Sequence, residues 1–366
     1  MAYTVYEGLT GPDAILEKLS AFALASGWTI LENCLDDLAI DGSGSYDGKR
    51  LCIKNAAGTV FGSFRTAAGK KIFETQANEG NAHGIGLIAS TAHTNKPPSG
   101  FWYDQPNVTK EYGTQQAIGV GIPVNPSGTY TLYCNVVKKP ADMLVFSLTD
   151  GTVFQHLALG YLEKVGNWDG GLIVSGSRNS YNMFTSSPTF DATTIETETT
   201  PLFSMAQNAN TFLRIDMDNA PNRSQPVLWA SAGANDASAF SHCYTGKQMA
   251  LPVKTREVSD AAWNAFIPDY RKLMSESPLD TGKNVNTLNC ITVNMNLVCY
   301  VIRDPDALRN FSPVGYVPGI YFISLRNVAP GQTYEISYPT SGALHQVFPY
   351  TRRRGVYGMD GFSVKQ

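Results

Sequence analysis

The residues best suited to chemistry lie in one thirty-residue stretch, 154–183, which reads FQHLALGYLEKVGNWDGGLIVSGSRNSYNM. His156 could act there as a general base and Arg178 as an anion clamp, with Asp169 between them. The histidine alternates with apolar residues two positions away on each side, which predicts a partly buried position on a strand. No nucleophile is matched to it, so we expect a structural histidine rather than a catalytic one.

The glycines of this stretch do not form a known catalytic or phosphate-binding motif. The run GSRNS lacks the spacing of a nucleophile elbow, and GNWDGG lacks the spacing of a phosphate loop. We expect these glycines to permit positive φ at turns between short strands. The stretch is therefore predicted to be a strand, a glycine-rich connection and a second strand.

Metal-binding patterns are equally incomplete. Asp216 and Asp218 are spaced as in a calcium loop, but the required glycine and terminal glutamate are missing. On a strand these two aspartates would share one solvated face. His83 and His93 have no third ligand at a suitable spacing. We predict no catalytic residue, no cofactor and no metal site.

The composition favours a β-rich protein that does not bind nucleic acid generally. Among 366 residues, 33 glycines and 20 prolines supply turns, while 18 tyrosines and 17 phenylalanines suit strands. A net charge of −3 argues against a general hold on DNA or RNA. No window approaches eighteen uninterrupted apolar residues, so no membrane span is predicted. Most of the six cysteines lie in apolar runs, which predicts buried thiols in a reducing cytoplasm.

Residues 1–95 are predicted to form a small α+β module. Its helix follows Thr10 or Gly11, either of which can cap it, and Pro12 suits the first turn. Gly27 should end the helix, and short strands follow. The helix presents one apolar stripe at 3–4 spacing, made by Ile15, Leu16, Leu19, Phe22 and Ala23.

Residues 96–366 are predicted to form a β-sandwich or barrel-like domain, or more than one, so that the whole fold is α+β and mostly antiparallel β. A proline- and aromatic-rich loop at 97–106 should be exposed. A threonine-rich arm is expected at 184–210 and a second helix at 259–275. Strands should fill most of the remainder.

Three segments resemble structural proteins of tailed-bacteriophage virions. They are GLTGPDAILEKLSAFALASGWTI near the start, FQHLALGYLEKVGNWDGGLIVSGS after LTDG in the middle, and FSPVGYVPGIYFISLRNVAPGQTYEI with ALHQVFPYTRRRG and YGMDGFSVKQ at the end. Together they cover about half of the chain, and they are patterns of turns and packing rather than catalytic signatures. The resemblance implies a virion component, made in the host bacterial cytoplasm and built into a ring or baseplate-type assembly.

The leading hypothesis from this resemblance is a tail subunit (tip, baseplate or collar) that contacts other virion proteins and copies of itself. A head-decoration or minor capsid protein is the alternative within the same class. A second hypothesis is a receptor-binding module, in which exposed Trp102, Tyr103 and Tyr112 stack against a host-surface glycan. A virion glycosidase would need two opposed carboxylates, and no close glutamate pair suggests them.

The interface candidates are aromatic or ionisable residues of three segments. They are Trp102, Tyr103, His156, Lys164, Trp168, Asp169, Arg178, Arg352, Arg353 and Arg354. Among them, the polar residues of the 154–183 stretch are expected either to fix the loop or to contact a neighbouring subunit.

Overall fold

The computed structural model confirms the mostly antiparallel α+β fold, with three sheets and one helix among the residues it describes. These residues are 3–34, 48–68, 72–73, 83–97, 101–111, 117, 119–179, 211–216, 223–226, 243–244, 295–302, 311–324, 329–336, 342–349 and 360–366. The arm predicted at 184–210, the helix predicted at 259–275, Tyr112, Asp218 and Arg352–Arg354 lie outside them. Within the described residues, no helix has the length and apolarity that a membrane span requires.

Eight strands form the central sheet. Every pair is antiparallel except the last, in which β15 and β6 run parallel. In spatial order the strands are β1 (Tyr3–Thr10), β8 (Thr129–Val137), β9 (Met143–Thr149), β10 (Phe154–Tyr161), β12 (Gly170–Gly176), β14 (Thr211–Ile215), β15 (Arg223–Pro226) and β6 (Lys110–Glu111).

A sheet of six strands, the helix-side sheet, covers one face of the central sheet. Its order is β13 (Arg178–Asn179), β7 (Gly119–Pro123), β5 (His83–Ser90), β4 (Phe61–Ala68), β3 (Arg50–Lys54) and β2 (Thr29–Cys34). The chain returns to this sheet at β13, directly after β12 of the central sheet.

The C-terminal sheet covers the other face of the central sheet. Its order is β16 (Cys243–Tyr244), β17 (Met295–Ile302), β18 (Phe311–Ser324), β21 (Asp360–Lys365), β20 (Ala343–Pro349) and β19 (Thr333–Ile336), and β11 (Glu163–Lys164) also pairs with β18.

Burial on both faces explains the continuous apolar run of β9. Leu144 and Phe146 point into the core shared with the helix-side sheet, whereas Met143 and Val145 point into the core shared with the C-terminal sheet. Because side chains alternate along a strand, both sets of positions must be apolar when both faces are covered. Full burial of each such side chain contributes about 1.5–3 kcal/mol to folding.

The predicted N-terminal helix is α1 (Gly11–Ala25), and all five residues of its predicted stripe are buried. Phe22 meets Phe146 of the central sheet edge-to-face, with ring centroids 6.3 Å apart. The Asp13 carboxylate accepts a hydrogen bond of 2.6 Å from the Thr66 hydroxyl of β4. The helix therefore belongs to the core between the central and helix-side sheets.

The predicted boundary at residue 95 is wrong, because both sheets cross it. β1 pairs with β8 in the central sheet, and β5 pairs with β7 in the helix-side sheet. One hydrophobic core extends from Leu9 to Phe212. The elements before position 95 consequently do not form a separate module, since β7 and β8, which follow that position, complete their sheets and their core.

Candidate assembly site at the 163–169 loop

Three of the interface candidates come together on the loop that joins β10 to β12, residues 163–169. Lys164 and Asp169 are exposed there, and Trp168 is half-buried. The loop also exposes 39% of Val165, an apolar residue. The loop thus combines a half-buried aromatic, an exposed aliphatic and three exposed charged side chains, those of Glu163, Lys164 and Asp169.

Backbone hydrogen bonds hold the base of the loop. The Leu162 N–H donates to the Gly171 carbonyl over 2.7 Å, and the Asp216 N–H donates to the Asp169 carbonyl over 3.0 Å. Leu162 itself is buried between the central and C-terminal sheets. The two ends of the loop are therefore fixed to the central sheet.

Tyr161 adds a side-chain contact at the same place, because its hydroxyl donates to the Gly170 carbonyl. Burial, and secondarily the negative charge of Asp216, raises the pKa of Tyr161. The phenol consequently remains a donor throughout the neutral range. The neighbouring Gly171 has φ +111°, and a Cβ there would lie 2.7 Å from the Tyr161 ring. Only glycine fits this position.

Lys164 closes the loop over its aromatic residues. Its Nζ donates to the Trp168 carbonyl over 2.8 Å and lies 5.2 Å from the Trp168 ring centroid and 5.6 Å from that of Tyr161. A cation over an aromatic face at an exposed site contributes about 0.5–1 kcal/mol. Lys164 therefore fixes the loop, and its amine is engaged rather than poised for reaction.

The loop also connects two sheets. Glu163 and Lys164 form β11, which pairs with Tyr316 and Gly315 of β18. The connection between two strands of the central sheet thus becomes a short strand of the C-terminal sheet. Because both of its ends are bonded to the central sheet and its first two residues pair with β18, the loop is held in place without a contact from any other molecule.

His156 lies near the start of β10, in the half of the strand remote from the loop, and is fully buried. Its Nε2 is 2.8 Å from the Pro349 carbonyl, and its Nδ1 is 2.8 Å from the Ser147 hydroxyl. Because a carbonyl only accepts, we assign the proton to Nε2 and let Nδ1 accept from Ser147. The Phe362 ring meets the imidazole edge-to-face at 4.9 Å. His156 thus ties the central sheet to the C-terminal sheet, and its proposal as a contact for a neighbouring subunit is wrong.

A second buried histidine, His345, was missed by the sequence analysis. Its Nδ1 is 3.3 Å from the Ser363 hydroxyl, and its ring meets Tyr321 at 5.2 Å. Burial, helped by the positive charge of Lys365, lowers the pKa of His345 to about 4. The only sequence signal is its place in the run ALHQVFP, where every residue from 345 to 349 is buried.

Trp102 and Tyr103 are not exposed, which corrects the prediction for the 97–106 loop. Trp102 is 2% exposed, and its indole N–H donates to the Ile72 carbonyl over 2.8 Å. Its ring packs 5.2 Å from that of Phe73. Phe73 fits against β7 because Gly119 has no Cβ, and an added one would overlap the Phe73 ring. Neither aromatic is free to stack against a sugar.

Arg178 belongs to a different element from the loop, and Arg352–Arg354 lie outside the part of the chain that the structure describes. Arg178 lies in β13 and pairs with Gly121 of β7.

Elsewhere, Glu32 accepts a hydrogen bond from Arg50, and its other oxygen is 3.6 Å from His93 Nε2. Burial raises the pKa of the nearby Cys52 thiol to about 12, so this cluster offers no thiolate nucleophile at neutral pH.

The described part of the chain contains no cluster of metal ligands. No group of three or more His, Cys, Asp or Glu side chains is close enough there to hold an ion. No known protein-family model matches this chain, and no curated protein sequence matches it.

Proposed function

We propose that this protein is a structural subunit of a tailed-bacteriophage virion and belongs to the tail, as a tip, baseplate or collar component. The 163–169 loop is the observation that carries the proposal. It is exposed, ordered in advance and partly apolar, and its only amine is already bonded. These properties suit a contact surface rather than a reaction centre.

Preordering favours assembly because little conformational entropy is lost when the loop is buried. Each side chain immobilised on association costs about 0.5–1.5 kcal/mol. In this loop Lys164 and Trp168 already contact each other in the free protein. The entropy of ordering these two side chains is therefore lost on folding and not on association. Tryptophan at the centre of a contact, with charged residues around it, is typical of strong interfaces.

The resemblance to virion proteins supports the same conclusion. Its middle segment, FQHLALGYLEKVGNWDGGLIVSGS, comprises β10, the 163–169 loop and β12. The partners proposed are other virion proteins and further copies of this chain. A closed ring would require two different contact patches on each subunit.

Copy number in purified particles tests the proposal. Quantitative mass spectrometry of gradient-purified virions would count this chain relative to the major capsid protein. A low copy number in multiples of three or six is expected of a tail component. Hundreds of copies would move the chain to the capsid surface, as a head-decoration or minor capsid protein. Its absence from clean particles would end the virion proposal.

A matched pair of variants tests the loop itself. Val165→Asp places a charge in the proposed contact and should reduce incorporation into particles at least about tenfold, the effect of 1.4 kcal/mol. Leu344→Asp changes an exposed leucine, 49% accessible on β20, and serves as the control. Equal incorporation of both variants would show that the 163–169 loop is not part of the assembly surface.

The carbohydrate-binding alternative named three exposed aromatic faces, those of Trp102, Tyr103 and Tyr112. Trp102 and Tyr103 are buried against Phe73, and Tyr112 lies outside the described residues, so two of the three faces do not support it.

A further inference from the structure

β1 is an edge of the central sheet with an apolar outer surface. Among the strands that the structure describes, it pairs only with β8. Tyr3 is 41% exposed, Val5 is 36% exposed, and Glu7 is exposed as well. These three side chains alternate along the strand and share one face, whereas Tyr6 packs on the core. An edge strand of this kind is a template for pairing with another strand.

The length available for such pairing is limited by a bulge. The register of β1 with β8 shifts between Tyr6 and Leu9, and Gly8 has φ +70°. Bulges of this kind bend an edge away from further pairing. The segment that can accept a neighbour is therefore Tyr3–Glu7.

This segment is complementary to itself when two copies run antiparallel. With Val5 opposite Val5 of a second copy, Tyr3 lies opposite Glu7, and the reverse pair forms at the other end. All three exposed side chains of each copy then have a partner, and the tyrosine hydroxyl can donate to the carboxylate. A register that set Glu7 opposite Glu7 would place like charges together, which is destabilising.

The charges around β1 favour the same antiparallel direction. Lys138 and Lys139 are exposed just beyond β8, near the residue that pairs with Tyr3. Glu7 lies toward the other end of β1. It is close enough to Tyr133 that, after burial as the larger cause, its negative charge also raises the pKa of that tyrosine. Antiparallel copies place the basic end of one near the acidic end of the other. Parallel copies would oppose like charges at both ends.

We propose that a second copy of this chain pairs antiparallel along β1, about a two-fold axis at Val5, and joins two eight-stranded central sheets into one. Such an interface is isologous, because the same patch serves both copies. It does not rest on the virion role, since it concerns the purified chain alone.

The oligomeric state of the full chain, with no tag at its N-terminus, tests this pairing. Sedimentation equilibrium should show a dimer. Val5→Asp should weaken it at least about tenfold, because two carboxylates would then face each other across the axis. Leu344→Asp is the matched control and should dimerise like the wild type. Circular dichroism confirms that both variants fold. A monomeric wild type, or a dimer that is insensitive to Val5→Asp, would overturn the proposal.

Charge exchange tests the direction of pairing. Glu7→Lys alone, and Lys138→Glu with Lys139→Glu, should each weaken the dimer at low salt. An equimolar mixture of the two variants restores opposite charges at both ends of an antiparallel pair, so dimers should return to wild-type affinity. A mixture that stays monomeric contradicts the proposed interface. A mixture that binds more tightly than the wild type would show a parallel arrangement and contradict it too.

Discussion

The Nε2 atom of His156 lies 2.8 Å from the carbonyl oxygen of Pro349, a residue 193 positions further along the chain. This hydrogen bond joins β10 of the central sheet to β20 of the C-terminal sheet in a layer that is otherwise lined by Phe348 and Phe362. The imidazole meets two buried polar groups at once, because its second nitrogen lies 2.8 Å from the Ser147 hydroxyl. The contact between these sheets therefore depends on one polar side chain as well as on apolar packing.

His156→Ala should lower the free energy of unfolding by about 3 kcal/mol, since it leaves the Pro349 carbonyl unsatisfied and opens a cavity. Ser147→Ala removes only the hydroxyl and should cost about 1 kcal/mol. Urea unfolding followed by circular dichroism measures both. Asn167→Ala, at an exposed loop position, should stay within about 0.5 kcal/mol of the wild type. A His156→Ala variant as stable as that control would refute the role of the histidine.

The stability of the protein should fall as the pH falls from 6.5 to about 4, because of His345. Burial lowers the pKa of this histidine from 6.5 to about 4, so the unfolded chain binds a proton in this interval that the folded chain does not. Above pH 6.5 His345 is neutral in both the folded and the unfolded chain and does not lower the stability. Between pH 6.5 and about 4 it lowers the free energy of unfolding by up to about 3 kcal/mol.

Unfolding by urea at several pH values would show this slope, and His345→Gln should flatten it. The difference between wild type and variant isolates His345 from other titrating groups. Parallel curves for the two proteins would contradict the assignment.

Local patterns predicted the elements of this fold well, whereas contacts between distant segments escaped them. The stripe of α1 and the strand position of His156 were readable because spacing within one element reports which face is buried. The pairing of β1 with β8 was not readable, which is why a boundary was placed at residue 95. Nothing in the run MLVFSLT tells which sheet covers which face.

The candidate site shows the same division. Lys164, Trp168 and Asp169 were identified together because they are neighbours in sequence, and they do share one loop. Trp102 was misplaced because its proline- and aromatic-rich surroundings are typical of an exposed loop. Its burial depends on Phe73, which fits only because Gly119 lies beneath its ring. That arrangement joins three segments that have no common local pattern.

The thiols of Cys52 and Cys134 should resist alkylation in the folded protein. Burial raises the pKa of Cys52 to about 12 and that of Cys134 well above its ordinary value. At pH 8 the thiolate of Cys52 is then on the order of one part in ten thousand, and both side chains are inaccessible. Iodoacetamide labelling followed by peptide mapping should modify these two cysteines in urea but not in buffer. Rapid labelling in buffer would show that the surrounding strands open.

Gly171→Ala should disrupt the 163–169 loop far more than Gly166→Ala, although both glycines have positive φ. At Gly171 an added Cβ would lie 2.7 Å from the Tyr161 ring and 3.3 Å from Lys164, whereas at Gly166 it meets nothing within 4 Å. Backbone strain alone costs about 1–2 kcal/mol, and the contact with Tyr161 adds to it only at Gly171. The expected losses of unfolding free energy are therefore about 1 kcal/mol for Gly166→Ala and about 3 kcal/mol for Gly171→Ala. Because Trp168 lies under Lys164 in the same loop, its fluorescence should change in Gly171→Ala and remain unchanged in Gly166→Ala. Equal effects of the two substitutions would mean that the loop is not braced against Tyr161.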